Sequence, residues 1–295
     1  MSGLRLMAIH AHPDDESSKG AATTAKYAAE GNDVLVLTCT GGERGDIINP
    51  AMDKPGIVEN MAEVRHEEMA RAAAALGVQH QWLGYVDSGL PEGTPEEIEN
   101  LLPEGCFAKL GDDNAAQAMV KAIRDFRPHV IVTYDENGGY PHPDHLMVHR
   151  ASMIAWEKAG DADYHPELGQ PWEPLKLYYT HGFVFQRMKL FHDELLAAGK
   201  PSPYAPMMAR WDTTFGDIMS RVTTQVECGD YFEQREAALR AHATQIDPAG
   251  AFLITPAADQ RRLWPTEEFE LARTRVATDL PETDLFAGIQ EKEEA

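Results

Sequence analysis

Two short stretches gather side chains able to do chemistry. The first, AHPDDE at residues 11–16, sets one imidazole, His12, beside three carboxylates, Asp14, Asp15 and Glu16. The second, YDENGGYPHPDHLMVH at 134–149, carries His142, Asp144 and His145. Imidazole plus carboxylate without thiolate is the donor set of a catalytic rather than a structural zinc, with three protein ligands and one position open for water. His12 and Asp15 stand three apart, so a turn at a helix start can aim both at one point, and His145 supplies the third ligand from the other stretch. Such a metal lowers the pKa of its water to about 7 and polarises a carbonyl, and Asp14, a nearby free carboxylate, is the candidate to take the water's proton. Zn2+ is the expected ion, one per chain, with Fe2+ as the alternative. Asp144 reads as a helix cap that orients a histidine behind the metal, Glu16 as a helix-start or supporting carboxylate, and His10 and His149 as packing residues. One HPD alone is a common turn, in which Pro fixes φ and Asp caps a helix. Two of them matter only if the fold brings them together.

The surrounding pattern says that it does. Short β-branched or apolar runs at 4–9, 33–40, 80–84, 129–135 and 175–182 read as strands, and helical patterns at 17–30, 60–76, 114–126 and 144–159 alternate with them. That alternation predicts an α/β fold, a Rossmann-like, doubly wound and mostly parallel sheet of order 3-2-1-4-5. In this order the connections after strands 1 and 4 leave in opposite directions, and the crevice between them holds both HPD loops at the carboxyl edge. Beyond residue 182 the rhythm loosens. Helices near 184–199 and 229–246, a strand at 221–228 and an acidic tail are expected there. The chain therefore divides into a metal-dependent core, 1–182, and a C-terminal extension, 183–295, that covers the active-site edge and completes the substrate pocket as part of one structural unit. The stretch 88–113 is long for a connection, and reads equally as a functional lid or a solvated insertion.

Composition narrows the partners. With 295 residues and a net charge of −22, the chain can bury a large core and is a poor match for nucleic acid or anionic membranes. Leu6 to Ile9 is too short for a signal-peptide core and no window approaches a membrane span, so a cytoplasmic location is expected. Cys39, Cys106 and Cys228 are far apart, and signal neither a disulfide framework nor a thiolate metal site. A nucleotide- or sugar-binding module on the same sheet is disfavoured, because the first loop lacks GxGxxG and offers carboxylates where a pyrophosphate needs backbone donors.

AHPDDE after the first strand with GGYPHPDH after the fourth resembles the zinc-dependent de-N-acetylase superfamily, which includes N-acetylglucosaminyl-phosphatidylinositol deacetylases and the mycothiol enzymes. TCTGGERGD, VDSGLPEG, LPEGCFA and PLKLYYTHGF extend the likeness to the mycothiol enzymes over essentially the whole chain. The resemblance implies a hydrolase of the amide between glucosaminyl-inositol and the S-conjugated N-acetylcysteine of mycothiol conjugates, releasing a mercapturic acid from a small-molecule substrate. Its alternative is deacetylation of N-acetylglucosaminyl-inositol. Carried onto matching positions, it makes His12, Asp15 and His145 the ligands, Asp14 the base, and His142 a stabiliser of the tetrahedral intermediate or proton donor to the leaving amine. Around them, Arg65 and Asp87 fit the sugar or inositol hydroxyls, and Glu43 lies at the same edge. Lys19 reads either as a contact to the thiol side of the substrate or as a solvated lysine. Tyr140 reads as an oxyanion donor or as loop packing, and His242 as a residue closing the pocket. Oligomeric state has no signal.

Overall fold

The computed structural model describes residues 3–209, 211 and 216–290. Its centre is a seven-stranded sheet of order β3-β2-β1-β4-β5-β7-β6, built from β1 (Arg5–His10), β2 (Asp33–Thr40), β3 (Gln79–Tyr85), β4 (Val130–Thr133), β5 (Lys176–His181), β6 (Thr224–Glu227) and β7 (Thr266–Thr274). The first five are parallel in the expected order, and β7 and β6 join antiparallel at the β5 edge. β1 explains why the reading succeeded. Leu6, Met7, Ala8 and Ile9 are all buried, because helices or other chain cover both faces of a parallel sheet.

Met7 and Ile9 pack under α5 (Asp112–Phe126) and α6 (Pro143–Lys158), through Met119, Ile123, Met147 and Val148. Leu6 and Ala8 face the other way, with Tyr27, Leu285 and Phe286 in the same cluster. The C-terminal segment thus lengthens the sheet and also returns to seal its far face, so its role is wider than the expected cover over the active-site edge.

Three local readings change. The helix expected at 17–30 is two, α1 (Asp15–Ser18) and α2 (Ala21–Ala29), because Lys19 is extended and Gly20 takes φ 79°, a left-handed backbone that glycine adopts freely. α3 (Met61–Leu76) matches its pattern, whereas the 88–113 connection contains α4 (Pro95–Leu101), started by a capping box between Thr94 and Glu97. After α7 (Phe185–Ala197), the helix expected at 229–246 spans only Phe232–Ala241 and ends at His242. β7 itself went unread, since its glutamates mask a buried strand. Glu267 accepts the first free N–H groups of α2, from Ala22 and Thr23, and Glu268 pairs with Arg187.

The three cysteines are buried and free. Among the described residues no helix is long and apolar enough to cross a membrane. The end of the acidic tail, 291–295, lies outside the described residues.

Candidate active site

β1 and β4 are neighbours, so the loops that leave their carboxyl ends meet. At the meeting point His12 Nδ1 lies 3.3 Å from His145 Nε2, His145 Nε2 lies 3.3 Å from Asp15 Oδ2, and His12 Nδ1 lies 3.6 Å from the same oxygen. Nitrogen and oxygen ligands about 2.0–2.1 Å from a tetrahedral zinc stand roughly 3.3 Å apart, so the triangle has the dimensions of one tetrahedral face.

Hydrogen bonding fixes which atoms face inward. His12 Nε2–H donates to Asp144 Oδ2 at 3.1 Å, and His145 Nδ1–H donates to the Gly138 carbonyl at 2.9 Å. In its neutral form each ring therefore turns its unprotonated nitrogen toward the other and toward a carboxylate oxygen. These inward lone pairs repel unless a proton or a metal cation stands between them. The buried cluster His12, Asp15 and His145 can hold a metal ion.

Electrostatics agree. Burial pushes the His12 imidazole down, but Asp144, Asp15 and Asp87 outweigh it and hold it well above its ordinary range, so this position is held positive, by a proton on Nδ1 or by a metal cation in its place. Burial likewise works against the Asp15 carboxylate, yet His145 and Lys19 hold it well below the usual carboxylate range. The pocket attracts positive charge.

The supporting atoms are placed by backbone as much as by side chains. Asp144 was expected to cap α6, but that position belongs to His142, whose Nδ1 accepts the Asp144 N–H at 3.2 Å. Asp144 sits in the first turn of α6 instead. Besides His12, its carboxylate accepts N–H groups from Ser88 and Ala108 and so pins both ends of the 88–113 connection to the site. With Nδ1 accepting, His142 carries its proton on Nε2. Burial, then His12 and His145, pushes this ring down to about 2, so it is neutral. A second group of close donors, His12, Asp87, His142 and Asp144, also lies within metal-binding distance. Its lone pairs are answered by hydrogens, since Asp87 accepts N–H groups from Arg44 and Gly89 while Asp144 and His142 are engaged as above. The first triangle is the better cation site.

Asp14 stands beside that triangle with φ 120° and ψ −25°, an unusual backbone for a non-glycine residue and worth about 1–3 kcal/mol of strain. Arg65 braces it. Its guanidinium donates to the carbonyls of Pro13 and Gly42 and to Asp14 Oδ2 at 3.2 Å. Burial raises the Asp14 carboxyl, with Arg65 opposing.

Arg65 is thus buried and occupied by the protein itself, where a contact to sugar hydroxyls was expected. Lys19 is also engaged, with Nζ 2.6 Å from Asp15 Oδ1. Glu43 accepts the Asp87 N–H. Tyr140 stands with its ring 4.5 Å from that of His145. His242, expected at the pocket, is fully buried against Glu16, with Nε2 2.7 Å from Oε1.

One supporting residue escaped the sequence reading. Tyr134 stacks on His145 at 4.5 Å, and its hydroxyl accepts the Ala11 N–H. Its position directly after β4 was the available signal. Gly138, at φ 69°, has no room for a side chain, because a Cβ there would stand 2.8 Å from His145 Cβ.

With this geometry in hand, likeness to known proteins is informative. Residues 7–156 match the family model described as PIG-L, GlcNAc-PI de-N-acetylase. The chain is 55% identical over 291 residues to the mycothiol S-conjugate amidase of Streptomyces coelicolor, covering 98% of both chains. It is 40% identical over 302 residues to the 1D-myo-inositol 2-acetamido-2-deoxy-alpha-D-glucopyranoside deacetylase of Thermobifida fusca, covering 97% of this chain and 100% of that one. In fold it is similar to N,N'-diacetylchitobiose deacetylase from Pyrococcus horikoshii, with a TM-score of 0.60 at 15% identity over 90% of this chain and 83% of that chain. By sequence, the chain belongs to the GlcNAc-PI de-N-acetylase family.

Proposed function

We propose that this chain is a zinc-dependent amidase that hydrolyses the amide between glucosaminyl-inositol and the S-conjugated N-acetylcysteine of mycothiol conjugates, releasing a mercapturic acid. The observation that carries the chemistry is the triangle of inward lone pairs at tetrahedral spacing, with Asp14 beside it. The substrate comes from the 55% identity, over nearly the full chain, to a relative named for that activity.

His12 through Nδ1, Asp15 through Oδ2 and His145 through Nε2 would hold the zinc, which supplies a Lewis acid that acidifies water and polarises a carbonyl. Asp14 accepts the proton of the attacking water, and its raised carboxyl suits it to pass that proton on. His142 Nε2–H donates to the oxygen that becomes negative as the carbonyl turns tetrahedral. Asp144 keeps His12 in the tautomer with Nδ1 unprotonated, and Lys19 steadies Asp15 through its other oxygen.

A cavity of about 360 Å³ beside the triangle gives room for a substrate as large as a mycothiol S-conjugate. It is bordered by Lys19 and Tyr140, which touch the metal triangle, and by Pro141, Phe183 and Ile218. Two of those walls come from beyond residue 182, so the core and the C-terminal extension act as one unit. Free, buried cysteines fit a reducing, cytoplasmic setting.

The deciding experiment compares a mycothiol bimane conjugate with N-acetylglucosaminyl-inositol on the zinc-loaded enzyme. The conjugate should show a kcat/KM higher by roughly tenfold or more, a gap of about 1.4 kcal/mol. Equal or reversed efficiencies assign the chain to the deacetylase and leave the metal chemistry standing.

A further inference from the structure

The backbone of Asp14 needs holding from two sides, and Arg65 supplies only one. On the other side stands Glu16. Its Oε2 accepts the Asp14 N–H at 2.9 Å, while Oε1 takes the Ser17 hydroxyl at 2.5 Å and His242 Nε2–H at 2.7 Å. Two donors on Oε1 leave the carboxylate one orientation, with Oε2 facing the Asp14 amide. His242 reaches this point across 226 positions of sequence, at the end of the helix Phe232–Ala241. The segment behind it is tied down, since Thr244 donates N–H and hydroxyl to Glu68, and Gln245 donates to the Asp46 carbonyl. Glu16 and His242 are 1% and 0% exposed, and neither is among the metal donors.

We propose that Glu16 and His242 are a positioning pair for the reaction. Glu16 holds the amide of Asp14, keeps its left-handed backbone in place and so aims its carboxylate at the attacking water. His242 fixes the orientation of Glu16. The C-terminal extension thereby sets the angle of a base that lies in the first loop of the core. This rests on the reading of Asp14 as the base.

The test uses the full-length, zinc-loaded enzyme and the bimane conjugate. Glu16→Ala should lower kcat on the order of 10²-fold, as misplacement of a reacting group does, with KM within about twofold and full zinc content. His242→Gln should lower kcat by roughly tenfold. Glu16→Gln, which keeps an acceptor for the Asp14 amide, should recover most of the loss seen in Glu16→Ala. Because the pair acts through Asp14, adding either change to Asp14→Asn should cost nothing further. Should Glu16→Ala not fold, His242→Gln combined with Asp14→Asn carries the same comparison. Additive losses, a KM effect without a kcat effect, or zinc loss that tracks the activity loss would overturn the pairing. If Asp14→Asn itself keeps its kcat, the base assignment fails and the inference with it. If Asp14→Asn loses kcat and Glu16→Ala does not, the positioning role alone fails.

Discussion

The two ends of the same parallel strands bury comparable charge and treat it differently. At the amino ends, Lys176 opens β5 fully buried, and its ammonium donates to Glu282 Oε1 and to the Ala287 carbonyl. The other oxygen of Glu282 takes the hydroxyls of Tyr178 and Thr224. Both carboxylate oxygens there meet hydrogens. At the carboxyl ends, His12, Asp15 and His145 turn lone pairs toward one another across 3.3–3.6 Å. Burial and charge are common to both ends, so neither marks the reactive one. What marks it is a cluster of acceptor atoms turned toward one another at metal-ligand spacing.

The strongest way to break this contrast is to remove a ligand. His145→Ala should fold, bind no zinc after stripping and reloading, and lose amide hydrolysis with the metal. Metal analysis beside a thermal melt checks it, and full metal content would mean that the triangle is misread. Next comes the base. Asp14→Asn should keep its zinc yet lower kcat by roughly 10²-fold or more. If Asp14→Asn loses as much zinc as Asp15→Asn, Asp14 belongs among the ligands.

At the amino ends the same kind of change should touch stability alone. Lys176→Met leaves the Glu282 carboxylate buried without its cation, which costs about 3–5 kcal/mol. Denaturant unfolding should show that loss, while zinc content and kcat of the folded fraction stay at the unaltered level. Adding Glu282→Gln should restore part of the stability, since the uncompensated charge is then gone. A Lys176→Met enzyme that lost zinc would couple the two ends and weaken the contrast.

How far each end was legible in the sequence follows from the range of its contacts. β1 to β5 could be read because burial on both faces leaves continuous apolar runs, and their order then brought His12 and His145 together across 133 positions. The meeting of His12, Asp15 and His145 needed only that order and the local HPD turns. Arg65 was legible as a charge near the site but not in its contacts, because nothing in EVRHEEM says that its guanidinium folds back onto Pro13 and Gly42. The Lys176 cluster left no signal, since Glu282 lies in an irregular segment. Nor did β7 leave one, because partners far away in sequence neutralise its buried glutamates. Contacts made by topology can be inferred from strand patterns, whereas single long-range pairs such as Glu16 with His242 have no local pattern.

The smallest effect tests the amino ends by pH. His129 precedes β4, its Nδ1 accepts the Arg5 N–H at 3.0 Å, and its ring stands edge-on to Trp172. Burial, with the Arg5 charge adding to it, pushes this imidazole down from 6.5 to about 4. The folded state therefore keeps His129 neutral over a range in which the unfolded chain already binds a proton. Its contribution is fully present above pH 6.5 and is lost progressively as the pH falls toward 4, below which both states are protonated. His129→Asn retains an acceptor for the Arg5 amide but cannot titrate. Unfolding free energies at several pH values between 7 and 4 should therefore fall less steeply in His129→Asn than in the unaltered chain, the carboxylates contributing equally to both. Parallel curves would show that His129 charges as readily folded as unfolded, and that its hydrogen bond to Arg5 gives way without cost.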